Sequence, residues 1–178
     1  MLKEKYIKEI VPALKKELNI QNIMEVPKVE KVVLNMGIWT FVRSGNKDFS
    51  ALQEQLSLIA GQACVVKYAK KSVSNFKLRA GMPVGLTVTL RGDNMFNFLE
   101  KLIHVSLPRV RDFRWVSKKG FDKNGNYNFG VKEHTIFIEV PQEDIVKTHG
   151  LQITIKTTAN DKESGRALLT QMGFPFSK

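Results

Sequence analysis

Cysteine is almost missing: the 178 residues contain one, Cys64. A single thiol forms no internal disulfide and makes no thiolate zinc site by itself. Long apolar runs are also lacking, and none approaches the ~20 residues of a membrane-spanning helix. Met1 to Glu9 alternate charges with apolar side chains, without the apolar core or small-residue cleavage site of a secretory signal. The expectation is a cytosolic chain with no membrane partner. Catalytic signatures are equally sparse. His104, His134 and His149 are scattered, with no His-Glu-x-x-His and no paired-cysteine spacing. Ser44-Gly45-Asn46-Lys47 lacks the glycine spacing of a phosphate loop, and no Gly-x-Gly-x-x-Gly occurs. Cys64 sits among Ala63, Val65 and Val66, where a buried, inert thiol is the default. Nothing here points to an enzyme, a small-molecule substrate, a metal or another cofactor.

The remaining scarcity is of acid. Asp and Glu number 17 against 28 Lys and Arg, for a net charge of +11 and an isoelectric point near 9.8. A domain this basic suits a polyanionic partner, most often nucleic acid. The length fits one domain, residues 1–178, large enough to bury a core without covalent staples. Hydrophobic content of 43% and charged content of 25% are those of a globular chain. The charge is concentrated. Residues 64–123 carry 13 Lys/Arg and 4 Asp/Glu, a net of +9, while the rest carry 15 and 13, a net of +2. Residues 55–92 include Lys67, Lys70, Lys71, Lys77, Arg79 and Arg91 but no acid. The chain average would place roughly 3–4 acids in that window. A merely solvated face mixes both signs, so an anionic partner is favoured.

Apolar spacing outlines the elements. Ile7, Ile10, Val11, Leu14 and Leu18 predict an amphipathic helix over 3–18, kinked or restarted at Pro12. Lys28 to Met36 reads as a strand with Val32, Leu34 and Met36 on one face and Lys31, Val33 and Asn35 on the other. Leu52, Leu56 and Ile59 mark a helix opened near Asp48 or Ser50 and closed by Gly61. Cys64 to Tyr68 is rich in strand formers. From Leu86 to Arg91 the alternation is clean, with Leu86, Val88 and Leu90 inward and Thr87, Thr89 and Arg91 outward. About seventeen residues of weak pattern join these two strands. Asp93 can cap a third helix that ends before Pro108. Strands follow near 134–140 and 151–158, and Asn160 with Glu163 resembles a capping box for a last helix closed by Gly173 and Pro175. The fold class is α+β: one mainly antiparallel sheet with helices on one face and a long basic loop between two strands. Asn35, Thr87, Thr89 and Arg91 then share the open face, suited to nucleic-acid backbone and sugar. Outward Thr and Arg are also what any solvated strand face displays.

Lys67 to Gly85, KYAKKSVSNFKLRAGMPVG, is the strongest local signal. It joins five cations to Tyr68, Phe76 and Met82 and ends in two glycines around Pro83. Cations meet phosphates, aromatic rings stack on bases, and Gly and Pro permit a protruding loop. A second basic cluster, LPRVRDFR, spans Leu107 to Arg114 and is followed by Lys118 and Lys119. Its arginines suit a phosphate clamp or a protein interface. In an extended segment Arg109 and Arg111 would share a face, with Asp112 as the alternative partner. Asp122 to Glu133, DKNGNYNFGVKE, imitates a calcium loop, but Tyr127 stands where the sharp turn demands glycine. A Gly/Asn turn leading into a strand is the better reading.

The segments VVLNMGI (32–38), GQACVVKYAKKSVSNFKLRAGMPVGLTVTLRG (61–92), FLEKL (98–102), LPRVRDFR (107–114), ITIKTTA (153–159) and GFPF (173–176) together resemble large-subunit ribosomal protein five of the bacterial type. The resemblance runs nearly end to end. It implies a curved, mostly antiparallel sheet and a structural role in the large ribosomal subunit, bound to 5S rRNA and large-subunit rRNA in the central protuberance. By the same resemblance, Asn35, Gln62 and Thr89 match 5S-recognising positions, beside which Thr87 and Arg91 lie on the expected open face. The loop with Lys67, Lys70, Lys71, Ser72, Asn75, Phe76, Lys77 and Arg79 looks like the family's extended loop, which reaches P-site tRNA and nearby rRNA. The family also bridges to a small-subunit head protein; Arg109, Arg111 and Arg114 are the candidates for an rRNA or bridge contact. Three places depart from the usual pattern: Trp39-Thr40-Phe41, where glycine and small or acidic residues are usual, Trp115, where glycine is common, and Ile138 in place of a frequent proline. The alternatives are a general RNA-binding or chaperone module without 5S preference and, last, a small-molecule enzyme.

Overall fold

The computed structural model describes residues 2–45, 48–111, 113–140 and 148–177. The first element is one helical rod in three parts: α1 (Leu2–Lys5), a π-turn (Tyr6–Ile10) and α2 (Val11–Glu17). Pro12 explains the middle part. Proline has no N–H to give, and its ring crowds the carbonyl four residues back. The wider π-turn moves the ladder out of register, so the Val11 N–H bonds to the Tyr6 carbonyl, and the rod passes the proline unbroken. The same device recurs before Pro108. There a π-turn, Leu102–Ser106, leads into a 3-10 turn, Leu107–Arg109.

Strand β1 (Val29–Gly37) carries the expected alternation, with Val32, Leu34 and Met36 sealed from solvent and Asn35 exposed. A short helix follows it, α3 (Trp39–Arg43), and then α4 (Ser50–Ala60). Asp48 accepts the Ser50 N–H and hydroxyl at the start of α4. Gly61 closes the helix at φ 65°, in the left-handed region that only glycine enters without cost. Strand β2 (Val65–Tyr68) pairs antiparallel with β3 (Pro83–Leu90), with Val65 opposite Thr87 and Lys67 opposite Gly85. Helix α5 (Gly92–Lys101), strands β4 (Tyr127–Val131) and β5 (Leu151–Thr157), and helix α6 (Lys162–Gln171) complete the chain. The five strands form one open sheet in the order β2-β3-β1-β5-β4, within an α+β fold.

The backbone groups into two compact units, one of Met1–Val33, Leu90–Phe129 and Ile153–Lys178, the other of Leu34–Thr89 and Gly130–Gln152. In the first, Leu14, Leu90, Leu99, Tyr127, Ile155 and Leu168 are fully buried. The Tyr127 hydroxyl donates to the Ser117 carbonyl at 2.7 Å, and burial pushes its pKa up to about 12. In the second, Leu34, Met36, Ile38, Leu56, Ile59 and Leu86 form the core.

Several expectations change. No strand forms at 134–140: His134–Ile136 is a 3-10 turn. The His134 N–H bonds to the His149 carbonyl, and the Phe137 N–H bonds back to the His134 carbonyl, so this backbone turns rather than extends. The strand lies earlier, at β4, inside the Gly/Asn-rich stretch. Arg109 and Arg111 do not share a strand face, because Leu107–Arg109 is helical in the 3-10 sense; Asp112 lies outside the described residues. Helix α5 is preceded by Arg91 rather than capped by Asp93, whose carboxylate instead bonds to the Lys3 ammonium. The last helix is capped one residue later than expected, with the Asp161 N–H donating to Ser164 Oγ.

Candidate nucleic-acid interface

In the second unit, the outward side chains of β1 and β3 converge on Asn35. The Thr87 hydroxyl donates to Asn35 Oδ1 at 3.4 Å, and Asn35 Nδ2 faces Gln152 Oε1 at 3.5 Å. Gln62, just past the end of α4, directs its amide to the Thr89 carbonyl at 3.4 Å. Gly85 makes room for this arrangement: a Cβ there would lie 3.2 Å from the Met36 carbonyl oxygen and 3.5 Å from Asn35 Oδ1. These contacts are longer than the 2.7–3.2 Å of strong hydrogen bonds. They orient the amides while leaving donors and acceptors that a ligand can take over. Asn35, Gln62 and Thr89 are exposed, and Thr87 is half-buried.

Arg91 belongs to the first unit and is not solitary. Its Nη1 lies 3.8 Å from Glu30 Oε1, while Lys156 Nζ lies 2.8 Å from Glu30 Oε2. The hydrogen bond from Lys156 is the main reason the Glu30 carboxyl is held below its ordinary pKa. One acid therefore sits between two cations on an otherwise basic or neutral set of strand positions. Sequence reading missed Gln152, Lys156 and Glu30, although the Leu151, Ile153 and Ile155 alternation of β5 could have placed 152 and 156 outward.

The stretch between β2 and β3 is a folded arm, not a patternless loop. Ala69 and Met82 begin it, with the Ala69 N–H donating to the Met82 carbonyl and the Gly81 N–H to the Ala69 carbonyl. Val73 and Leu78 form an antiparallel bridge with hydrogen bonds in both directions. A 3-10 turn, Ser74–Phe76, makes the tip, and Ser72 Oγ accepts the Ala80 N–H. Lys67, Lys70, Lys71, Ser72, Asn75, Phe76, Lys77 and Arg79 are all exposed along it. Such an arm presents cations and an aromatic ring to a polyanion with little competing acid.

Arg109, Arg111 and Arg114 are exposed in the first unit, beside Trp115, which is 57% exposed. The Asp122 turn is satisfied internally. Its carboxylate accepts the Asn124 and Asn126 N–H groups and the Asn126 amide. Partial burial works against its charge, but these hydrogen bonds outweigh it and lower the pKa. Both carboxylate oxygens of Asp122 are thus engaged by the loop itself. His134 and His149, far apart in sequence, do meet. The His149 N–H donates to His134 Nδ1 at 3.1 Å, and His134 Nε2 lies 3.0 Å from Gln55 Oε1. Both ring nitrogens of His134 are therefore occupied. Among the described residues, no group of three or more His, Cys, Asp or Glu side chains is placed to hold a metal ion, and no helix is long and apolar enough to cross a membrane.

A family model described as ribosomal protein L5 matches residues 22–79, and a second, describing the C-terminus of the same ribosomal family, matches residues 83–176. The chain is 52% identical over 177 residues to the large ribosomal subunit protein uL5 of Leuconostoc mesenteroides subsp. mesenteroides, spanning 99% of this chain and 98% of that protein. With both models matched in order across most of its length, the chain belongs to the ribosomal protein L5 family.

Proposed function

We propose that the protein is a non-catalytic structural constituent of the large ribosomal subunit that holds 5S rRNA on the polar strand face and large-subunit rRNA nearby. The observation that carries this is the Asn35 cluster: exposed amides and hydroxyls oriented by long, replaceable hydrogen bonds, on a protein of net charge +11. Asn35, Gln62, Thr87 and Thr89 read the RNA by shape and hydrogen bonding, with Arg91 contributing charge. The arm from Lys67 to Arg79, with Lys70, Lys71, Ser72, Asn75, Phe76 and Lys77, meets P-site tRNA and adjacent rRNA through phosphates and stacking. Arg109, Arg111 and Arg114 serve an rRNA contact or the bridge to a small-subunit head protein, a role that fits their exposure and fork geometry.

Substitution at the strand face tests the assignment. Asn35→Ala and Thr89→Ala should each weaken 5S rRNA binding about two- to tenfold, the value of one net hydrogen bond, with circular dichroism and melting temperature unchanged. Affinity unchanged in both variants would remove this face from the 5S site.

A further inference from the structure

Trp39 opens α3 immediately after β1, and Phe76 sits at the tip of the arm, yet the two rings meet. Their centroids are 6.5 Å apart with planes at 87°, an edge-to-face pair, the geometry that aromatic quadrupoles favour. The Arg43 guanidinium lies 5.3 Å from the Trp39 ring centroid, within cation–π reach. Phe76 is nevertheless 61% exposed. The tip has a second constrained residue: Lys77 adopts φ 52°, a left-handed conformation that costs a non-glycine residue and persists only where its surroundings fix it.

We infer that Trp39 is a positioning residue: with Arg43 over its ring, it docks Phe76 and fixes the tip of the arm before any partner binds. Phe76 is the last residue of the tip turn, and Lys77 follows with its N–H donated to the Ser74 carbonyl. Holding that ring therefore sets where the chain leaves the turn and how Lys77 and Arg79 are presented. A preformed arm spares the ordering cost that a flexible basic loop would meet on binding. That benefit rests on the reading above that the arm meets RNA; the order of the arm does not.

Amide hydrogen exchange on the full, RNA-free chain tests the inference directly. The Val73, Lys77 and Leu78 amides, all hydrogen-bonded within the arm, should be protected in the parent. In Trp39→Ala and in Phe76→Ala they should exchange about two- to tenfold faster, the range expected for one aromatic pair. Phe76→Ala alters an exposed side chain and should leave protection of β1 and β3 intact, separating local release from unfolding. Trp39→Phe should restore protection, because it retains a ring edge and removes an indole Nε1 that is buried and has no hydrogen-bond partner among the described residues. Unchanged exchange in Trp39→Ala, or equal loss in Trp39→Phe, would overturn the positioning role. Failure of the arm's cations to bind RNA would overturn the functional reading while leaving the exchange result standing.

Discussion

Gln55 Oε1 lies 3.0 Å from His134 Nε2, across 79 residues of sequence, with both side chains buried. The ring's Nδ1 meets the His149 backbone and its Nε2 meets Gln55, a buried setting that favours the neutral imidazole. Burial holds its pKa below the ordinary value of 6.5, against smaller opposing effects from the His149 backbone and Glu133. The unfolded chain therefore takes up the proton first as pH falls. The stabilisation is complete above the unfolded pKa of about 6.5 and is lost as pH drops from there toward the folded value. Urea midpoints measured at about pH 7.5 and about pH 5 should fall with acid in the parent and fall less in His134→Gln. An equal fall in both would show that His134 is not the titrating group.

Gly165 in α6 packs against the Asp122 turn at backbone distance. A Cβ on Gly165 would lie 2.3 Å from the Gly125 carbonyl oxygen, a contact that only backbone movement relieves. Gly165→Ala should lower stability by about 1–3 kcal/mol, seen as a drop in melting temperature of about 2–4 °C for each kcal/mol. An unchanged melting temperature would mean that helix and turn separate without cost.

Glu30 restrains two cations, Lys156 at 2.8 Å and Arg91 at 3.8 Å. Glu30→Gln frees both and adds one unit of positive charge. Binding of any RNA to this face should tighten at low salt, and the gain should shrink as salt is raised. Weaker binding in Glu30→Gln would mean that the carboxylate orders Lys156 and Arg91 for RNA rather than competing with it.

Lys77→Ala combined with Arg79→Ala separates the two surfaces. This variant should keep most of its 5S affinity while losing tRNA affinity, with the salt dependence of tRNA binding reduced by about one ion per lost phosphate contact. A large loss of 5S affinity would show that the arm, rather than the strand face, holds 5S rRNA.

Strand faces were the most legible part of the fold. Val32, Leu34 and Met36, and Leu86, Val88 and Leu90, report burial by alternation alone, because one side of each strand is packed and the other is wet. That reading also placed Asn35 and Thr89 on the open face without any contact being known. Helix α4 was equally clear from Leu52, Leu56, Ile59 and Gly61. What was missed depends on partners distant in the chain. The turn at His134 exists because Gln55 and His149 satisfy a buried ring. The arm is ordered by Val73 bridging Leu78 and by Trp39 meeting Phe76. The π-turns answer Pro12 and Pro108 with a geometry that apolar spacing does not encode. Asp93 had the chemistry of a cap, but Lys3 provides it with a charged partner, and no rule based on neighbouring residues contains that choice.

Titration of the purified protein with 5S rRNA and with a control RNA of equal length, repeated across a salt series, tests the central claim most directly. Binding made only of phosphate contacts loses affinity steeply as salt rises, because its free energy comes from released counterions. Recognition by the Asn35 face predicts a preference for 5S rRNA that persists at high salt. Equal affinity for both RNAs, collapsing together as salt rises, would contradict it and leave a basic RNA-binding domain without 5S specificity.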